Sequence, residues 1–155
     1  MIDYKITTEE DIDLLMDIRL EMLREVYNLS EDYEYSEDFI NYSREYFLNG
    51  DQTTILAFDG ESMVGCASIS YISVMPTVDH MSGKRAHLMN VYTRPEYRGK
   101  GIAYEMADLL IKEAWERGIT EVSLDATEAG RPLYRKLGFK DSTECMVLTK
   151  QHKAY

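Results

Sequence analysis

The first segment, IDYKIT (residues 2–7), alternates apolar and polar positions, the period of a strand with one face buried. Thr7 or Thr8, with Glu10 or Asp11 three residues later, reads as a capping box that opens a helix. In that helix, residues 9–27, Ile12, Leu15, Ile18, Met22 and Val26 recur every three or four positions with Asp and Glu opposite. A weaker helical pattern over 36–48 uses Phe39, Ile40, Tyr46 and Phe47. Three strand-like runs follow: TTILAFD, which ends at the hairpin dipeptide Asp59-Gly60, then ESMVGCASISYISV, then RAHLMNVYT after a polar loop. The period then changes. GIAYEMADLLIKEAWERG predicts one long helix with Gly118 as its C-terminal stop. ITEVSLDA reads as a short strand, GRPLYRKLG as a short helix, and FKDSTECMVLT as a bent final strand pair. The element order is β-α-α-β-β-β-α-β-α-β-β.

Length and composition narrow the class. With 155 residues, 45% hydrophobic and 29% charged, the chain suits one domain over 1–155 that buries about 70% of its unfolded surface. There is no repeat or linker, no apolar run near membrane-spanning length and no signal-like N-terminus, so a soluble, cytoplasmic protein with no membrane partner is expected. Cys66 and Cys145 both stand in apolar contexts and read as reduced core residues, and no metal-ligand spacing is present. The net charge of −11 argues against nucleic acid. It is unevenly spread: residues 1–80 hold 18 acids against four bases, and 81–155 hold 10 acids against 13 bases. An acidic half could attract a cation and the other half hold an anion; a solvated acidic surface explains the charge equally well.

Residues 93–103, TRPEYRGKGIA, join a strand directly to the long helix. A glycine-bearing turn at a helix N-terminus presents unpaired N–H groups and the positive end of the helix dipole to an anion. Two phosphate motifs fail here: G-x-x-x-x-G-K-[ST] has no match, and the third glycine of G-x-G-x-x-G is missing.

The run Arg98, Gly99, Lys100, Gly101, Ile102, Ala103 resembles the acyl-CoA signature [QR]-x-x-G-x-[GA] of the GNAT superfamily of N-acyltransferases. LDATEAGRPLYRKLGF resembles that superfamily's last conserved block, and the element order is also similar, so the resemblance spans essentially the whole chain. It implies an α/β fold with a mixed, mostly antiparallel sheet of six or seven strands, about four flanking helices and a splayed central strand pair. It further implies acetyl-CoA as co-substrate, its pyrophosphate on the amides of residues 98–103 with charge from Arg98 and Lys100. The pantetheine arm would lie along Val91, Tyr92 and Thr93 as an added strand, with an N–H near Val91 facing the developing oxyanion. Thr127 stands where many relatives carry a pantetheine-contacting Asn. Tyr134, in the L-Y-x-x-L-G-F context, would protonate the departing thiolate.

The base and the acceptor are less constrained. Relatives often place a Glu on the strand before the phosphate loop, but AHLMNVYTR has no carboxylate. Asn90 can order a water there, and His87 has a suitable pKa but reads as an ordinary strand histidine. The connection between the first two helices, with Asp32, Tyr33 and Glu34 among its acids and tyrosines, suits a cationic amine, as it equally suits a solvated face. The expected activity is acetyl transfer from acetyl-CoA to a primary amine, preferably small and cationic, by direct attack on the thioester. The alternatives are a peptide or protein N-terminus or lysine as acceptor, or a non-catalytic acyl-CoA sensor. A homodimer is compatible with the fold, and no metal is expected.

Overall fold

The structure, a computed structural model, describes residues 1–142 and 144–150. The chain forms two compact units, Met1–Asp125 and the residues from Ala126 onward. In the first, strands β1 (Ile2–Ile6), β2 (Gln52–Asp59), β3 (Ser62–Ser73), β4 (Lys84–Thr93) and β5 (Glu121–Ser123) lie side by side in that order. All neighbours are antiparallel except β4 and β5, which run parallel. Helices α1 (Ile12–Val26), α2 (Glu37–Asn49) and α3 (Ile102–Glu116) complete this unit.

Local chemistry accounts for the element ends. The Asp11 carboxylate accepts from the Thr8 N–H at 2.9 Å and from Lys5 Nζ at 2.8 Å, so it fixes the turn that leads into α1. These bonds hold its pKa below the ordinary carboxylate value. Asp59 pairs with Ser62 across a two-residue turn in which Gly60 takes φ +62°, as the hairpin dipeptide predicts. The Ser36 hydroxyl accepts from the Phe39 N–H at 3.1 Å and caps α2.

The apolar positions of α1 meet one layer of the sheet, with Leu15, Ile18 and Met22 clustering against Leu56, Cys66 and Tyr92. Buried Met106, Leu110 and Ala114 give α3 an apolar stripe of the kind its periodicity predicts. Each fully buried aliphatic side chain contributes about 1.5–3 kcal/mol by leaving water.

One irregularity interrupts the regular sheet. Between Cys66 and Ser68 the β3–β4 register slips: Cys66 faces Tyr92 and Ser68 faces Met89, leaving Asn90 and Val91 together opposite Ala67. Asn90 takes φ +59°, a left-handed conformation that Asn tolerates better than most residues. Such a bulge bends and twists its strand. β5 pairs with β4 only at Arg85–His87, so from Leu88 to Thr93 that side of β4 has no strand partner among the described residues.

Two expectations are corrected. The sheet has five strands rather than six or seven, because residues 139–142 and 144–150 form no strand; Thr143 lies outside the described residues. Cys145 is exposed, as are Met146, Val147 and Leu148, whereas Cys66 is fully buried. A short apolar run specifies a wish for burial but no edge to pair with.

Candidate active site

The turn between β4 and α3 is built from backbone. Arg94–Tyr97 close a short 3-10 turn, with the Tyr97 N–H on the Arg94 carbonyl at 2.9 Å and the Arg98 N–H on Pro95 at 3.2 Å. Gly99 and Gly101 then take φ +78° and +80°, and a Cβ built at either would meet nothing within 4 Å. Gly101 caps α3. The next backbone bond along the chain is the Glu105 N–H on the Gly101 carbonyl, so among the described residues the N–H groups of residues 99–104 have no partner. Six consecutive amides without a protein partner, ending at the N-terminus of a 15-residue helix, offer donors and a positive dipole end to an anion. The residues therefore fit a coenzyme A pyrophosphate, with Ile102 and Ala103 contributing the first helical amides. Thr93 adds a buried hydroxyl without a hydrogen-bond partner at the start of the loop.

Arg98 does not stand free beside these amides. Its guanidinium donates to Glu25 at 2.6 Å and to the Thr93 carbonyl at 2.8 Å, and covers the Tyr92 ring at 5.6 Å. Arg94 binds Glu21 with two bonds of 3.0 Å, and the Tyr92 hydroxyl donates to the same carboxylate. Burial and that carboxylate raise the Tyr92 phenol well above its ordinary value, which keeps it a donor. Glu21 and Glu25 of α1 thus anchor the first half of the loop, at Arg94 and Arg98. Lys100 lies over the Tyr97 ring at 5.1 Å and has no carboxylate at ion-pair distance among the described residues.

At the bulge, between the sheet and helices α1 and α2, lies a pocket of about 220 Å³. Phe39, Tyr42 and Phe47 of α2 supply apolar walls. The floor is a chain of hydrogen bonds in one direction. Arg19 Nη1 donates to Asn90 Oδ1 at 3.1 Å, and Asn90 Nδ2 to Ser68 Oγ at 3.1 Å. Ser68 and Thr54 hydroxyls share a bond of 2.6 Å, Thr54 donates to Gln52 Oε1 at 2.6 Å, and Gln52 donates to the Phe47 carbonyl at 3.0 Å. Beside it the Tyr46 hydroxyl donates to Ser70 at 2.7 Å. The same bulge is held from below by the Cys66 thiol, which donates to the Asn90 carbonyl at 3.2 Å and is pushed by burial up to about 12.

Of the anticipated acceptor residues, Asn90 lines this pocket, while Asp32, Tyr33 and Glu34 lie outside its lining and are exposed. Their loop is instead strapped onto α1: Arg24 donates to the Ser30 and Tyr33 carbonyls, and the Tyr35 hydroxyl to the Leu20 carbonyl at 2.7 Å. His87 sits in the closed part of the sheet, its Nδ1 2.8 Å from Ser123 Oγ and its Nε2 3.6 Å from Asp125. Arg19, Ser68 and Ser70 were not singled out by sequence reasoning. The available signal was an arginine in the middle of α1, Arg19, flanked by Asp17 and Glu21.

In the second unit, Thr127 closes the turn that leads into helix α4 (Arg131–Lys136): its Oγ1 accepts from the Gly130 N–H at 3.2 Å and its carbonyl from the Arg131 N–H at 3.1 Å. The Tyr134 ring packs edge-on to Phe139 at 5.9 Å, and burial raises its phenol above the ordinary value.

Comparison with known proteins agrees with this architecture. The acetyltransferase (GNAT) family profile matches residues 16–139, and the chain belongs to that family. It is 27% identical over 128 residues to a thialysine N-epsilon-acetyltransferase of Bos taurus, covering 79% of this chain and 75% of the relative. It is 32% identical over 112 residues to an N-alpha-acetyltransferase of Arabidopsis thaliana, covering 70% and 56%. A predicted acetyltransferase of Clostridium acetobutylicum, solved with acetyl-CoA, superposes with a TM-score of 0.84 at 32% identity over 96% of each chain. The protein is therefore an acyltransferase of GNAT type. No helix among the described residues is long and apolar enough to cross a membrane.

Proposed function

We propose that residues 1–155 act as one N-acetyltransferase domain that transfers an acetyl group from acetyl-CoA to a small primary amine. The observation that carries this reading is the continuity of three features: the unpartnered amides of 99–104, the strand side left open from Leu88 to Thr93, and the pocket reached at Asn90. An extended pantetheine arm completes a sheet edge through backbone bonds, so Val91, Tyr92 and Thr93 need no special side chains for it. The acyl carbon then lies at the bulge, between donor and acceptor.

In the reaction the amine nitrogen forms a bond to the acyl carbon and the carbon–sulfur bond breaks. One proton leaves the nitrogen and one reaches the sulfur. Tyr134 is the proposed donor to sulfur, supported by its place in the L-Y-x-x-L-G-F motif; a phenol is protonated at neutral pH and so has the proton to give. Among the described residues the pocket lining contains no carboxylate and no histidine. The amine therefore enters as its neutral fraction, and kcat/KM rises with pH toward the amine's own pKa, near ~10 for an alkylamine. Relatives named for thialysine N-epsilon, N-alpha and glucosamine 6-phosphate acetylation support nitrogen as the acceptor atom. Release of the CoA thiol from acetyl-CoA, measured against a panel of amines, tests the reading. Turnover with at least one small amine is expected; a protein that binds no acetyl-CoA and releases no thiol with any amine overturns it.

A further inference from the structure

The pocket at the bulge has a charge that the proposed reaction does not use. Arg19 is half-buried in its wall, and none of the described carboxylates lies at ion-pair distance from it. Its one hydrogen bond among the described residues, to Asn90, uses one of the five N–H donors of a guanidinium. Asn90 passes that bond to Ser68, Thr54 and Gln52, whose donors all point onward along the floor, so the chain supplies no anion in return. The surrounding walls are the rings of Phe39, Tyr42 and Phe47. Burial lowers the pKa of Arg19, the sign of a charge that has lost water without gaining a counter-charge. In the loop that follows β4 the arginines are matched by carboxylates of α1, Arg94 by Glu21 and Arg98 by Glu25. The second arginine of α1, Arg24, lies outside the pocket lining and is spent on the Ser30 and Tyr33 carbonyls.

From this the geometry points to an acceptor that carries an acid group, a carboxylate or a phosphate, seated on the Arg19 guanidinium while its amine reaches toward the acyl carbon at Asn90. The inference rests on the acetyltransfer reading for the role of the ligand, and refines it. A guanidinium presents parallel donors that match either group, and an apolar wall strengthens the pair. The same cation disfavours a second positive charge in the pocket, which helps an incoming ammonium shed its proton where the lining offers no base. A purely cationic polyamine meets the wrong sign of charge here. The acids at Asp32 and Glu34 do not line the pocket and do not compensate.

Two matched pairs of acceptors test the inference: L-lysine against 1,5-diaminopentane for the carboxylate, and glucosamine 6-phosphate against glucosamine for the phosphate. In at least one pair the acid-bearing member is expected to have a kcat/KM at least about tenfold higher, roughly one charge-assisted pair. Arg19→Gln removes that preference and Arg19→Lys keeps part of it. A merely structural arginine would lower both members of a pair together and leave the ratio alone. If the Gln variant does not fold, the Lys variant decides, since its ratio falls at least about threefold when the paired donors matter. Calorimetry with the acetylated forms of the same four compounds, in the presence of CoA, reads the site without turnover. An acid-bearing compound that binds through Arg19 while no amine is acetylated leaves this inference standing and overturns the acetyltransfer reading. Turnover with no preference in either pair, or a preference unchanged in both variants, overturns this inference and leaves acetyl transfer intact.

Discussion

The proposed phosphate site, the loop of residues 98–104, and the proposed acceptor pocket at Asn90 are made of different material. The first is a continuous stretch of backbone, its binding groups amides that any sequence possesses, opened by two glycines. The pocket is assembled from side chains of α1, α2, β2, β3 and β4, from Arg19 to Asn90 along the chain. A backbone site tolerates change in most side chains and fails when the backbone cannot hold its shape. A side-chain site keeps its shape and changes its preference with single residues. Recognition of a shared donor and of a particular acceptor thus place opposite demands on sequence.

The largest effect should come from Gly101→Glu, which puts a side chain at φ +80° and a negative charge where an anion approaches the amides. Acetyl-CoA affinity measured by calorimetry should fall on the order of 100-fold or more, roughly the ~2.7 kcal/mol of strain and repulsion combined. Undiminished affinity in a folded variant would remove the loop from the donor site. Tyr134→Phe should lower kcat by about 10- to 300-fold with little change in acetyl-CoA binding, because only the hydroxyl is lost. The sign of its pH effect follows from the raised pKa: the phenol donates below that value, so the wild-type rate falls as pH rises through it, above ~10, and the variant lacks this limb. Full kcat with a raised KM for acetyl-CoA would make the residue an anchor instead.

Arg98→Ala should act through position more than charge, since its guanidinium is already committed to Glu25 and the Thr93 carbonyl. KM for acetyl-CoA should rise about three- to tenfold, and Glu25→Gln should reproduce part of that rise, a result that a direct phosphate contact by Arg98 would not give. The smallest effect is expected from Asp32→Asn combined with Glu34→Gln. With a verified acceptor both KM values should stay within about twofold, as for other exposed charges. A selective rise in the acceptor KM would return the acidic loop to the site.

The same contrast separates what is legible in the sequence from what is not. The long helix was legible because Ile102, Met106 and Leu110 keep a 3.6-residue period, and the β2–β3 hairpin because Asp59-Gly60 fits a tight turn. The phosphate loop was legible because all its parts are adjacent in sequence. Arg19 was not: on the helix pattern it is one more polar position beside Ile18, and its meaning arises only when Ser68, Asn90 and Phe39 are brought to it by tertiary contacts. The bulge at Asn90 was invisible for a related reason, since one extra residue in a strand leaves no local mark until the partner strand is known. The tail failed in the other direction. Cys145–Leu148 has the composition of a strand, yet pairing belongs to two segments and cannot be inferred from one.

The unpaired side of β4 has a further consequence for how the protein behaves in a crowded solution. A row of unused strand groups is ordinarily an invitation to other chains, the route by which sheets grow into aggregates. Here the opening is bounded by β5 pairing at Arg85–His87 on one end and by Pro95 on the other, a length of about six residues. Such a slot takes a short extended arm but gives a polypeptide no room to continue in register. The co-substrate that fills it would then act as a removable selvedge on the sheet: those amides from Leu88 to Thr93 that face the open side should exchange with solvent deuterium more slowly when acetyl-CoA is present, and heat-induced self-association should diminish as the co-substrate concentration rises.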